Sequence, residues 1–99
     1  MSGGSFDYAY FHFSKFADDL ESCVINSKEY HLSEEWINKM KKSLELFRFC
    51  SELSHEIEWV YSGDTGEESF KERMEAIIKR NPEYYLLYRL IGGKIEQKD

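Results

Sequence analysis

The sequence predicts an all-α protein, a small bundle of three to four helices with one long central helix. Three observations carry this. Apolar residues recur at steps of three and four along nearly the whole chain, which is the period of a helix with one buried face. Residues that cap helices stand before most of these stripes. Glycine, asparagine and the single proline fall almost entirely between them. Ninety-nine residues leave room for one core, so residues 1–93 are expected as a single domain and 94–99 as a frayed tail.

The first stripe comprises Phe6, Ala9, Tyr10, Phe13, Phe16, Ala17, Leu20, Cys23 and Val24. It predicts a helix from Phe6 to about Asn26, capped by Ser5 or Asp7, whose short side chains can accept a first-turn N–H. Tyr8, Phe11 and His12 lie to one side of that stripe. The polar stretch Asn26 to Leu32 reads as a connection. Ser33 then caps the second helix, Glu34 and Glu35 favour the positive end of its dipole, and Leu32 and Ile37 are spaced as a hydrophobic staple.

Its stripe of Ile37, Met40, Leu44, Phe47, Cys50, Ser54, Ile57 and Tyr61 predicts one helix reaching Tyr61, roughly 42 Å long at 1.5 Å per residue. Leu46, Phe49, Leu53 and Val60 add a second apolar face to its later half. Covering both faces points to a neighbouring subunit, so a homo-oligomer is expected. Cys23 and Cys50 fall on apolar stripes without metal-ligand spacing and read as reduced core thiols.

Ser62 to Gly66 ends the long helix, with Gly63 suited to the left-handed cap. Thr65 with Glu68, or Asp64 with Glu67, fits a capping box for a third helix that carries Phe70, Met74, Ile77 and Ile78 and stops near Arg80. Asn81 and Pro82 are placed as cap and first residue of a last short helix. Tyr84, Leu87, Tyr88 and Ile91 form its inner face, Leu86 and Leu90 widen it, and Gly92 and Gly93 end it. There is no internal repeat.

Composition narrows the function. Charged residues make up 32% of the chain, and the net charge of −6 is spread rather than blocked, which disfavours binding to duplex nucleic acid. No apolar run reaches membrane-spanning length and no secretory signal opens the chain, so a cytoplasmic protein is expected. Aromatic residues, at 16%, are too many for so small an interior, and some are expected to face a ligand or another chain.

Ser2, Gly3, Gly4 and Ser5, followed by a helix start, can present backbone N–H groups to an anion, or can simply cap the helix. Tyr8, Tyr10, Phe11 and His12 beside this turn could stack on a base or pack a partner helix. Lys39, Lys41, Lys42 and Arg48 make one face of the long helix basic, and Lys79, Arg80, Arg89 and Lys94 do so near the C-terminus. Both sets are interleaved with acids, so solvation is their default role. Candidate ligand-binding residues are Ser2, Gly3, Gly4, Ser5, Tyr8, Phe11, His12, Lys39 and Lys42.

Glu52 and His55 have the spacing of half a di-iron site, but the further ligands such a site needs are missing. An ordinary Arg48 to Glu52 ion pair is expected there, with no metal and no cofactor. The loop Ser62 to Glu67 lacks calcium-ligand spacing and reads as helix punctuation. No nucleophile and base arrangement is present, so an enzyme is not expected.

The opening Met1-Ser2-Gly3-Gly4-Ser5-Phe6-Asp7-Tyr8 and the later segment from Glu58 to Phe70, with its Trp59-Val60-Tyr61-Ser62-Gly63-Asp64 core, resemble a group of small phage and prophage proteins. Members of that group open with MSGGSF or MSGGSY and carry a Trp-x-x-Ser-Gly-Asp segment. The resemblance covers roughly Met1 to Met74. It implies a mobile-element accessory protein that blunts host defence, by sequestering a nucleotide signal or by gripping a host protein. Together these readings lead to a non-enzymatic helical oligomer that captures a small anionic ligand such as a cyclic nucleotide. The alternative is a protein-interaction module or inhibitor of a host protein.

Overall fold

The computed structural model describes residues 8–95, and four helices account for most of them: α1 (Tyr10–Ile25), α2 (Glu34–Tyr61), α3 (Glu67–Arg80) and α4 (Tyr84–Leu90). The described residues contain no strand. The long helix α2 is the spine. Helix α1 runs antiparallel along it: Tyr8 meets Glu58, Tyr10 meets His55, Phe16 meets Phe47, and Asp18 meets Arg48. One residue number rises as its partner's falls. Helices α3 and α4 pack against the later half of α2.

Helix α2 matches the expected bounds because both ends have a local chemical cause. The Ser33 side chain accepts the Trp36 N–H, and Glu34 and Glu35 occupy the first turn. At the other end Gly63 adopts φ +81°, Asp64 N–H donates to Trp59 O and Gly63 N–H donates to Val60 O, the paired bonds of a left-handed glycine cap.

The first helix starts later than its apolar stripe implies. Tyr8 has a left-handed φ of 59° and Ala9 occupies the cap position without a side-chain bond, so α1 begins at Tyr10. A tertiary bond accounts for the turn: the Tyr8 N–H donates to the buried carboxylate of Glu58 at 2.7 Å. The expected caps Ser5 and Asp7 lie outside the described residues. The connection after α1 is itself ordered as a 3-10 turn, Ser27–Tyr30, in which buried Ser27 donates to Val24 O.

The cap residue of the third helix is Gly66, which makes no side-chain bond, and not the expected Thr65 or Asp64. Its Thr65 is buried instead. Asn81 caps the end of α3 with its side chain and backbone N–H, both of which donate to Ile77 O, and only its carbonyl serves the start of α4, where it accepts the Tyr84 N–H. Helix α4 therefore begins at Tyr84, two residues after Pro82. Gly93 lies against the face of Tyr88, where a Cβ would overlap the ring. Ile95 packs on the core, so the chain is anchored one residue beyond the expected fraying point at Lys94.

The main core is assembled within the chain by Phe49 of α2, Met74, Ile77 and Ile78 of α3, and Tyr84 and Tyr88 of α4. Leu53, Phe70, Tyr85, Leu87 and Ile95 pack around it. This corrects the expectation that a neighbouring subunit covers the second face of α2. Phe49 and Leu53 are covered by the chain's own α3 and α4, Leu46 stays exposed, and half-buried Val60 borders a groove. The thiols also differ from expectation: Cys23 is exposed and Cys50 only half-buried. Burial still raises the Cys50 thiol pKa.

Candidate interaction surface

Helix α2 is covered from two directions, and the angle between them leaves a third side open. With about 100° between successive residues, the side chains that meet α1 (Ile37, Arg48, His55 and Glu58) point one way. Those that meet α3 and α4 (Phe49, Leu53 and Glu56) point roughly 130° away from them. Between them runs the stripe Trp36, Met40, Ser43, Phe47, Cys50, Ser54, Ile57 and Tyr61. Its steps alternate four and three without a break over 25 residues, the 3.5-residue period of a helix-packing seam. None of the eight positions is charged, in a chain where charged residues make up 32%.

Helix α1 repeats the pattern beside it. Ala17, fully buried, marks the face of α1 turned to α2. The neighbouring stripe Ala9, Phe13, Phe16, Leu20 and Cys23 has the same alternation and again no charge. Phe16 and Phe47, with ring centroids 4.8 Å apart, join the two stripes into one surface. Phe13 is 41% exposed and Phe16 52%. Together with His12 and Phe47 they line an apolar groove of about 230 Å³. A second groove of about 330 Å³ lies further along α2, between Ile57, Val60 and Tyr61 of the spine and Glu67 and Phe70 of α3. Positions 47 and 57 are ten residues apart, so the grooves are separated by roughly 15 Å.

Among the described residues, the sequence-predicted ligand residues Tyr8, Phe11 and His12 stand apart from Lys39 and Lys42. Ser2, Gly3, Gly4 and Ser5 lie outside the described residues. Tyr8 and Phe11 are exposed near the start of α1, and His12 joins the aromatic groove. Lys39 and Lys42 lie toward the other end of α2, 19 and 16 residues before Glu58, the residue that meets Tyr8. At 1.5 Å per residue those separations are roughly 28 Å and 24 Å. Lys39 is engaged locally, 3.4 Å from Glu35 and 4.2 Å from the Trp36 ring centroid.

Among the described residues, those that meet the start of α1 are Glu58 and His55 of the spine. Glu58, 1% exposed, takes the Tyr8 N–H on Oε2, while its Oε1 has no hydrogen bond. His55 sits edge-on to Tyr10 at 4.5 Å and 5.1 Å from the Trp59 ring, with Nδ1 3.3 Å from Glu56 Oε2. Arg73 approaches Glu56 from α3 at 3.8 Å. This polar patch ties α1 and α3 to the spine. Among the described residues no group of three or more His, Cys, Asp or Glu side chains is placed to hold a metal ion.

Comparison with protein-family models, curated proteins and solved structures gives no match to this chain. The surface therefore has to be read from its own chemistry. No helix among the described residues is long and apolar enough to cross a membrane.

Arg48 pairs across the helices, with Asp18 at 2.7 Å and Glu21 at 3.4 Å, and not with Glu52 as the helical spacing implied. The hydrogen bond that Arg48 donates to Asp18 raises the Arg48 pKa. The partners lie on α1, which the spacing within α2 could not show.

Glu52 is half-buried, with one carboxylate oxygen shielded from solvent and without a hydrogen bond. Burial raises its carboxyl pKa, Arg80 opposes that rise, and Glu56 adds to it. A folded-state pKa above the unfolded one penalises folding at high pH, and the penalty disappears as pH falls through the folded value to the unfolded one. Glu52→Gln is expected to be at least as stable as wild type at pH 7, with the difference shrinking toward pH 4. Denaturant melts across that range test this, and a variant less stable at pH 7 would show that Arg80 outweighs desolvation.

Proposed function

We propose that this protein is a non-enzymatic protein-interaction module that works through the uncharged aromatic face of its α1–α2 hairpin. The observation that carries the reading is the pair of side-by-side four-three stripes, joined at Phe16 and Phe47, half-buried along most of α2 and exposed at Phe13, Phe16, Trp36 and Tyr61. A half-exposed Phe costs free energy in water that another apolar surface can recover, at about 25 cal/mol per Å² buried. Stripes of this period accept helices, because each side chain drops between those of a facing helix.

Capture of a small anion, the other reading of the sequence, draws no support from this geometry. The lysines stand far from Tyr8, and the nearby Glu58 carboxylate would repel an anion. In the setting of phage accessory proteins that the chain resembles, the present reading corresponds to gripping a protein rather than soaking up a signal.

The test compares wild type with Phe16→Glu, a change at an exposed ring that leaves the core intact. Tagged chains are expressed in a bacterial host and recovered under native conditions, and the mass of the recovered species is measured. The wild-type chain is expected in a complex, of either one or two kinds of chain, that Phe16→Glu loses. A filtration assay with a panel of cyclic and linear nucleotides is expected to retain none. Indifference of every complex to Phe16→Glu, or stoichiometric nucleotide retention, would overturn the reading.

A further inference from the structure

We infer that the first turns of α1 form a strap that opens and closes over the spine while the rest of the protein stays folded, uncovering Glu58 and the side of His55 that faces Tyr10. None of residues 8–16 is buried, and the first buried residue of α1, Ala17, lies two turns into the helix. Segments with so little buried surface open locally, well below the free energy of global unfolding. Phe16, against Phe47, and the fully buried Ala17 mark where the strap ends and the anchored helix begins.

The start of α1 lacks the local devices that hold other helix starts. Its cap residue, Ala9, makes no side-chain bond, and no acidic residue stands in the first turn, whereas Ser33, Glu34 and Glu35 supply both for α2. The strap is joined to the spine where the Tyr8 N–H donates to Glu58 Oε2 at 2.7 Å and Tyr10 lies edge-on to His55 at 4.5 Å.

Closure carries two costs. Tyr8 takes a left-handed φ of 59°, which a residue with a Cβ adopts at a penalty. Glu58 is 1% exposed and its Oε1 is buried without a hydrogen bond, so one carboxylate oxygen is desolvated without compensation. Opening removes both: Tyr8 returns to ordinary backbone angles, and both oxygens of Glu58 regain water. The strap thus trades a few interactions of comparable strength, whereas opening the core would uncover Phe49, Met74 and Ile78 together. Once open, it presents an acid and an imidazole three residues apart on one side of α2. The Phe16 and Phe47 seam lies beyond the strap, and neither feature needs the other.

Native-state amide exchange of the full chain, followed residue by residue at low denaturant, tests the inference. The amides of Phe11 and His12, which donate to Tyr8 O and Ala9 O, are expected to be protected, but about tenfold or more below those of Leu20 and Glu21 past the anchor, and with little response to denaturant. Tyr8→Gly and Tyr8→Ala remove the same ring, and only glycine relieves the left-handed backbone, so protection at Phe11 and His12 is expected to be about fivefold higher in Tyr8→Gly than in Tyr8→Ala. Glu58→Ala is expected to remove most of that protection and leave Leu20 unchanged.

Equal protection at His12 and Leu20, lost together on global unfolding, would overturn the strap. So would a wild-type chain with no protection at Phe11 and His12, since the strap would then never close. Tyr8→Gly no better protected than Tyr8→Ala would overturn the part played by the left-handed turn, and with it the balance between the open and closed states.

Discussion

Met74→Ala is expected to lower stability by about 2–5 kcal/mol, the usual range for truncating a large buried apolar side chain. Met74 has 0% exposure and stands in the cluster formed by Phe49, Ile77, Ile78, Tyr84 and Tyr88. Its removal leaves a void between α3, α4 and the spine that these aromatic walls can fill only by leaving their own places. Domains of this size are held by about 5–15 kcal/mol, and 1 kcal/mol moves the melting temperature by about 4–8 °C. A drop of roughly 10 °C or more is therefore the anticipated result. A thermal melt within a few degrees of wild type would mean that α3 and α4 are not packed on α2 as described.

Glu58→Ala is expected to cost about 1.5–3 kcal/mol, the scale of a hydrogen bond to a charged group. Removal of the carboxylate frees the Tyr8 N–H and the left-handed turn that it holds, so the loss falls first on the start of α1. Glu58→Gln keeps an oxygen acceptor in the same place and is expected to lose less. Chemical denaturation gives the energies, and amide exchange at Tyr8 gives the location. Unchanged stability together with an equally protected Tyr8 amide in Glu58→Ala would show that the bond contributes nothing.

Much of this fold was legible in the sequence because its causes are local. Ser33 and Gly63 bound the spine by chemistry that acts within one turn, and both ends were readable from residue type and position. The third helix and its inward Met74, Ile77 and Ile78 followed from period alone. What could not be read was set by partners distant in the chain. Glu58, fifty residues from Tyr8, decides where the first helix begins, and Asp18 takes Arg48 from the neighbour that helical spacing offered it. The later half of α2 shows the same effect. Its second apolar face was visible, but whether α3 or another chain covers it depends on where the Ser62 to Gly66 turn sends the chain.

The candidate surface was partly legible. The aromatic surplus signalled that some rings must face outward, and Phe13 and Phe16 do so, against a half-buried Phe47. Their organisation was hidden because Ile37 and Leu44 interleave with the seam at helical spacing, so that two adjacent faces read as one stripe. The separating signal was the strict alternation of four and three together with the complete lack of charge. The glycine segment could not be placed by the same means, since a turn before a helix looks alike whether it serves an anion or a cap.

The two tryptophans stand at opposite ends of the same rigid helix, roughly 35 Å apart along its axis, in dissimilar surroundings. Trp36 is about half exposed, with the Lys39 ammonium over its ring. Trp59 is half-buried between His55 and Arg73, with its indole nitrogen shielded from solvent. An indole in water emits at longer wavelength than one in apolar surroundings, so the chain carries two spectrally distinct reporters without any label. With Trp36→Phe, the remaining emission follows the junction of α1, α2 and α3. With Trp59→Phe, it follows the hairpin tip, and events at the two ends of the spine become separable in time.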